Sequence, residues 1–403
     1  MDTPPDHHAP DPTRPAPADR IPPDAFHADL ARLRRLHHTK WGGLPDDALA
    51  LSVAETDFPP APPVAEALRL ALADGDLGYA PHDGLHLPRA FTDFADRHWG
   101  WRPDPADTLT VPEVMVGIVE MLRVLTRPGD PVVVETPAYG PYFKVLRETG
   151  RTLWPVPLLR DEHGWHRDLD GLRQAFASGA TAMLLCHPHN PTGHLADRAE
   201  LAAVARLAHE HGVAVLADEI WAPLVLQDTA DGFVPYATVA HRDARAVVLS
   251  SASKAFNVPG LKCALLLPAS PATAPALRRL PELLTHRTSL LGLLAATAAF
   301  RDGDAWLGAL RTHLRANRDL LTARLADLLP DVGFSPPPAT YLAWLDLRAL
   351  RSDGTAAEHL RHHAGVLLSD GEEYGAPGWA RLNFATGPEV LTQALARIAA
   401  ARQ

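Results

Sequence analysis

One lysine in this chain is placed where its amine could form a Schiff base: Lys254, within Ser251-Ala252-Ser253-Lys254-Ala255-Phe256-Asn257. It follows the apolar run Ala246–Leu249. A lysine behind a buried strand is costly unless its amine is used or paired. Burial lowers its pKa towards neutrality, and a Schiff base needs the neutral amine. The small hydroxyl residues beside it, Ser251 and Ser253, can hold a phosphate; a surface lysine in a turn is the competing account. Asp218 ends the apolar stretch Gly212–Ala217, where a carboxylate needs a cationic or hydrogen-bonding partner. A protonated pyridine nitrogen would suit it and would turn a bound ring into an electron sink; the alternative is a cap on the following helix. Asn190 lies in the tight turn His189-Asn190-Pro191-Thr192-Gly193. Its amide could donate to a phenolate oxygen, or serve the turn alone. Lys40, Lys144, Lys254 and Lys262 are the four lysines among 38 basic residues, so chemistry that needs an amine has few candidates.

These residues need elements to carry them. Short β-rich runs at Val132–Glu135, Ala182–Cys186, Val213–Ala217 and Ala246–Leu249 alternate with helical patterns such as Val64–Ala73, Gly117–Leu125 and Arg198–His211. Continuous Val/Ala/Leu strands separated by helices predict a parallel sheet covered on both faces. Each run ends in polar or special residues, and open α/β sheets bind ligands beyond the carboxyl ends of their strands. After about residue 290 the texture changes. A long helix fits Ala305–Leu329, followed by the break Pro336–Pro338, strand-like Tyr341–Leu345, a helix over Ala356–His363 and strand-like Trp379–Phe384. That reads as a smaller α+β domain. Residues 1–25, rich in Pro, Asp and Ala, read as a disordered tail in which His7 and His8 are incidental.

The chain has 403 residues and a net charge of −10. The length suits two domains, since single cores stop growing at about 250–300 residues. The acidic balance argues against a nucleic-acid partner. No apolar run of about 18 residues predicts a membrane span. No GxGxxG follows a strand, which disfavours a nicotinamide enzyme. With no secretory signal and two cysteines in no framework, a reducing cytoplasm is the expected setting.

The three motifs Asn190-Pro191-Thr192-Gly193, Asp218-Glu219 and Ser251-x-Ser253-Lys254-x-Phe256-Asn257, spaced 28 and 36 residues from Asn to Asp to Lys, resemble the fold-type I enzymes that use pyridoxal 5′-phosphate (PLP), as in aspartate aminotransferase. Among these the chain is similar to the MalY/PatB-like cystathionine β-lyase and C–S lyase group. Val53-Ala54-Glu55-Thr56-Asp57-Phe58, Thr136-Pro137-Ala138-Tyr139-Gly140-Pro141-Tyr142, Cys186-His187-Pro188-His189-Asn190, Thr340-Tyr341-Leu342-Ala343-Trp344 and Arg381-Leu382-Asn383 carry that likeness.

The resemblance implies an α/β fold: a large PLP-binding domain over 63–291 with a mostly parallel seven-stranded sheet, and a smaller domain from 26–62 and 292–403. It also implies roles. Lys254 would carry PLP and move the α-proton. Asp218 would pair with the pyridinium, Asn190 with the ring oxygen, and Tyr139 would stack on the ring. Ser251, Ser253, Lys262 and the backbone of Val114 and Met115 at a helix start would hold the phosphate. Tyr79 would reach the phosphate of a second subunit in a homodimer, and Arg381 would grip the substrate carboxylate.

Three positions depart from the pattern. Trp221 stands where relatives of this type carry Tyr or His, and an indole can donate one hydrogen bond but cannot carry a proton. It fills space, or it marks an unusual substrate or reaction. Glu55 and Thr56 replace the Asp-Met of the family's VADMDF, and Lys262 stands where aminotransferases have Arg. The expected reaction is β-elimination from S-substituted L-cysteines, giving thiol, pyruvate and ammonia. The alternatives are transamination by the same residues, decarboxylating or oxidative chemistry of secondary metabolism, and a regulatory protein on the same fold.

Overall fold

The computed structural model of this chain describes Ile21 and residues 25–228, 230–350 and 354–402. Most of the predicted tail, with His7 and His8, lies outside the described residues. Ile21 and Ala25 do lie within them, and both pack against the core.

Seven strands form the central sheet: β1 (Leu109–Val111), β2 (Pro131–Thr136), β3 (Thr152–Pro157), β4 (Ala182–Cys186), β5 (Ala214–Asp218), β6 (Ala246–Ser250) and β7 (Ala264–Pro268). Their order is β1-β7-β6-β5-β4-β2-β3. β7 alone runs opposite to the other six. Every residue of β4, β5 and β6 is buried, as their unbroken apolar runs predict. Strands β1, β3 and β7 add to the four that the sequence signals. On β3, Thr152-Leu153-Trp154-Pro155-Val156-Pro157 buries only Val156; it is a sheet edge, where prolines are tolerated and the apolar signal is weak.

Because β2, β4, β5 and β6 are parallel, their carboxyl ends share one edge. Register fixes this closely: Cys186 pairs with Asp218, and Asp218 with Leu249. Helices flank the sheet. Among them are α1 (Pro62–Asp74), α2 (Leu87–Trp99), α3 (Val114–Leu125) and α4 (Gly140–Glu148).

A second, four-stranded antiparallel sheet is built from β8 (Gly333–Phe334), β9 (Leu342–Asp346), β10 (Ser369–Asp370) and β11 (Trp379–Asn383), in the order β8-β9-β11-β10. The long helix Asp304–Leu328 precedes it. Leu49–Ala50 pairs in parallel with Val366–Leu367, so the N-terminal segment is tied to the C-terminal part by strand hydrogen bonds. Among the described residues no helix is long and apolar enough to cross a membrane.

Candidate active site

A cavity of about 540 Å³ opens at the carboxyl edge of the central sheet, and residues of the second sheet close it. Tyr139, Asn190, Asp218, Trp221, Lys254 and Arg381 all line it. The sequence scatters these residues over 243 positions; the parallel strands bring five of them to one edge, and β11 supplies Arg381 from the other side.

Lys254 sits four residues past β6. Its Nζ donates to the Ala54 carbonyl at 3.0 Å, which also accepts from the Tyr341 hydroxyl at 3.0 Å. Burial pushes the amine's pKa down to about 8, and the Arg381 charge adds to this. The segment that offers the Ala54 carbonyl is held from several sides. Asn257 adopts φ 55°, a left-handed conformation that Asn tolerates better than most residues. It exchanges two hydrogen bonds with the Thr56 backbone, at 3.0 and 2.9 Å. Asn383 Nδ2 donates to the Val53 and Glu55 carbonyls. Beneath lies a fully buried ion pair, Lys40 to Asp57 at 2.9 Å, with Trp41 Nε1 donating to the same carboxylate at 2.7 Å. The altered Val53–Phe58 motif thus forms the wall against which the reactive amine is set.

Asp218 is buried and makes no ion pair among the described residues. Its carboxylate accepts from the Tyr142 hydroxyl at 2.6 Å and from the Ile220 amide at 3.2 Å. Burial raises its pKa, and the Tyr142 bond partly offsets this. A buried carboxylate with two neutral donors and no cation is suited to a cationic ring N–H. Tyr139 caps the start of α4 and packs edge-on against Tyr142, with ring centroids 5.7 Å apart. Burial pushes its pKa up to about 12, so it lines the cavity as a neutral phenol.

Asn190 and Arg381 meet across the two sheets. The guanidinium donates to Asn190 Oδ1 at 3.1 Å, to the Ser52 carbonyl at 2.9 Å and to Ser369 Oγ at 3.2 Å, and it lies 5.1 Å from the Tyr374 ring centroid. With its oxygen so engaged, Asn190 presents its amide N–H groups as donors. Arg381 Nε is buried without a partner among the described residues, a vacant donor that suits an incoming carboxylate. The turn after Asn190 requires Gly193: its φ is +71°, and a Cβ there would fall 2.4 Å from Pro337.

The start of α3 has no side-chain cap, and Val114 and Met115 line the cavity with Ser251 and Ser253. Uncapped N–H groups at a helix start favour an anion. Ser251 Oγ donates to the Cys263 carbonyl at 2.7 Å and accepts from the Ser253 amide, so it shapes this corner with its proton already committed. Lys262 is placed differently from its expected phosphate-holding role. Its Nζ pairs with Glu113 at 2.9 Å, both side chains about half exposed, and it does not line the cavity. Tyr79 is 94% exposed and stands away from its own chain's cavity, near His286 and Thr288. Trp221 is buried edge-on against Tyr341 at 4.8 Å, with Lys254 Nζ 5.7 Å from its ring centroid. It is packed into the wall, and the Lys254 amine lies over its ring.

The cationless buried carboxylate, the uncapped helix start, the depressed lysine and the vacant arginine donor together fit a phosphorylated pyridine aldehyde and an amino-acid carboxylate. Sequence reasoning missed Tyr142 as the donor to Asp218, Tyr341 and Asn257 as clamps, and Tyr374 beneath Arg381. Tyr142 and Tyr341 stand inside motifs quoted for the resemblance, but their bonding is invisible in a linear pattern.

Residues 46–398 match the family of class I and II aminotransferases. The chain is 42% identical over 387 residues to a Mycobacterium tuberculosis protein provisionally named a cystathionine beta-lyase, with 89% of this chain and 93% of that protein covered. It is 34% identical over 373 residues to the cystathionine beta-lyase of Corynebacterium glutamicum, with 92% and 98% covered. The crystal structure of a provisionally assigned PLP-dependent β-cystathionase of Corynebacterium diphtheriae superposes with a TM-score of 0.87 at 32% identity, covering 93% of this chain and 98% of that one.

Proposed function

The chain belongs to the class I and II aminotransferase family, and on that premise we propose that it is a PLP-dependent carbon–sulfur β-lyase acting on S-substituted L-cysteines of the cystathionine kind. The overall change is a thioether amino acid plus water giving a thiol, pyruvate and ammonia. The observation that carries this reading is the convergence on one cavity of Lys254, its amine depressed to about 8, with Asp218, Asn190 and Arg381. The likeness to relatives named cystathionine beta-lyase favours elimination over amino-group transfer.

PLP bound here supplies an electron sink for the charge left when the substrate α-carbon loses its proton. The chain's own residues do the rest. Arg381 holds the α-carboxylate, using its unpartnered Nε and the nitrogens facing Asn190. Lys254 takes the α-proton. A carboxylate on Arg381 neutralises a cation that depresses the Lys254 pKa, so substrate binding strengthens the base. Asp218, steadied by Tyr142, would face the ring nitrogen; Asn190 would donate to the ring oxygen; Tyr139 would stack on the ring. The helix start at Val114–Met115 with Ser251 and Ser253 would hold the phosphate.

Tyr79, exposed beside the exposed Leu77, supports a homodimer in which it reaches the other subunit's site and Lys262 shifts from Glu113 to the phosphate. Size-exclusion chromatography with light scattering should then give twice the 43.5 kDa chain mass.

The test is pyruvate release from L-cystathionine with PLP present and no keto acid added. Many turnovers per subunit are expected. No pyruvate, with amino-group transfer to an added keto acid, would replace this reading with an aminotransferase.

A further inference from the structure

Away from the cavity, three side chains with metal-binding chemistry converge: His82, Glu282 and His286. One atom from each, an imidazole nitrogen or a carboxylate oxygen, lies within 4.8 Å of the other two. The two imidazole rings approach to 3.8 Å between centroids, at an angle of 73°. All three residues are exposed, and among the described residues none of these side chains makes a hydrogen bond or an ion pair. The three groups are gathered without satisfying one another.

Their backbones are set by the central sheet. His82 precedes a tight turn into α2. Asp83 Oδ1 accepts there from the Leu85 amide at 2.9 Å, and Gly84, at φ +70°, lies so close to β1 that a Cβ would fall 2.5 Å from the Thr110 side chain. Glu282 and His286 stand four residues apart on the helical turn Glu282–Arg287, which packs against the same strand. Leu284, between them, is buried and roots that turn. Strand β1 therefore holds the two ligand-bearing segments at a fixed separation, and only the exposed side chains need to adjust. A tetrahedral ion with bonds of about 2.0–2.2 Å keeps its ligand atoms about 3.3–3.6 Å apart. Closing the site then takes side-chain movement of at most about 1.5 Å. Two imidazoles with one carboxylate suit a borderline transition-metal ion; Mg²⁺ and Ca²⁺ take oxygen ligands.

We propose that His82, Glu282 and His286 form a zinc-type site that binds one divalent transition-metal ion per subunit and pins the segment carrying Tyr79 to the turn Glu282–Arg287. His82 stands three residues after Tyr79, and residues 77–80 line one surface depression with His286. Three protein ligands leave the fourth position to water. The site uses none of Lys254, Asp218, Asn190 or Arg381, so it stands independently of the β-lyase reading.

The test is calorimetric titration of the tag-free holoenzyme, stripped with chelator and dialysed free of unbound PLP, with Zn²⁺ and separately with Mg²⁺. One Zn²⁺ per subunit is expected, and no Mg²⁺ at the same concentrations. His82→Ala/His286→Ala removes two of the three ligands. Outer-shell partners alone are worth about 10–100-fold in metal affinity, so Zn²⁺ binding should weaken by more than about 100-fold. Zn²⁺ should also raise the Tm of the parent and leave that of the double variant unchanged. Glu282→Gln keeps the side-chain shape, should by itself weaken Zn²⁺ binding by about tenfold or more, and decides the question if the double variant misfolds. No Zn²⁺ bound by the parent, Mg²⁺ bound as tightly as Zn²⁺, or Zn²⁺ affinity within twofold of the parent's in the folded variants overturns the site.

Discussion

Replacing Lys40 with Met should cost this protein more stability than any exposed substitution, although Lys40 touches no part of the cavity. The Lys40–Asp57 pair is fully buried at 2.9 Å. Removing the cation leaves the Asp57 carboxylate enclosed, with Trp41 Nε1 as its one remaining side-chain hydrogen-bond donor among the described residues. Breaking a buried pair from one side costs about 3–5 kcal/mol. Unfolding entropy near the midpoint is roughly 2.1 cal/mol/K per residue, or ~0.85 kcal/mol/K for a chain of this length, so the loss corresponds to a Tm lower by about 4–6 °C. Adding Asp57→Asn removes the stranded charge yet keeps an acceptor for the indole, and should restore at least half of the loss. Differential scanning fluorimetry of the parent, both single variants and the double variant completes the cycle. Additive single losses, or a Lys40→Met shift below 2 °C, would refute the claim that this pair braces the segment offering the Ala54 carbonyl to Lys254.

Four further outcomes follow from the site. Lys254 requires its neutral amine to capture PLP, so uptake of the cofactor by the apoprotein should accelerate with a midpoint near pH 8 and not near the usual lysine value; stopped-flow absorbance reads this directly. Arg381→Ala removes a charge that lowers that pKa and should move the midpoint to higher pH, alongside a raised KM; a midpoint moved to lower pH would contradict the assigned electrostatics. Tyr142→Phe deletes a 2.6 Å donor to Asp218, which raises the carboxyl pKa further. At about 1.5–3 kcal/mol for a hydrogen bond to a charged group, kcat/KM at neutral pH should drop at least tenfold, with the acid limb of the profile displaced upward. Lys254→Ala should abolish both pyruvate release and any borohydride-trapped PLP adduct, read by mass spectrometry; a trapped adduct in that variant would remove Lys254 from its role.

Lys254, Asp218 and Asn190 were legible as candidates because each follows a short apolar run of the kind a buried strand gives, and because their three motifs stand in the order and spacing of the family they resemble. The same runs made β2, β4, β5 and β6 legible. Edge strand β3 was not, since a half-solvated strand carrying two prolines lacks that signature. What the linear pattern could not hold is contact between distant elements. Arg381 meets Asn190 across 191 positions, Lys254 meets the Ala54 carbonyl across 200, and Tyr142 meets Asp218 across 76. A local window reports how one element is buried, not which other element closes over it. Tyr142 reaches Asp218 within the layer of the central sheet, but Arg381 is delivered by the packing of the second sheet against the first, and that packing leaves its Nε vacant and adds its charge to the burial that depresses Lys254.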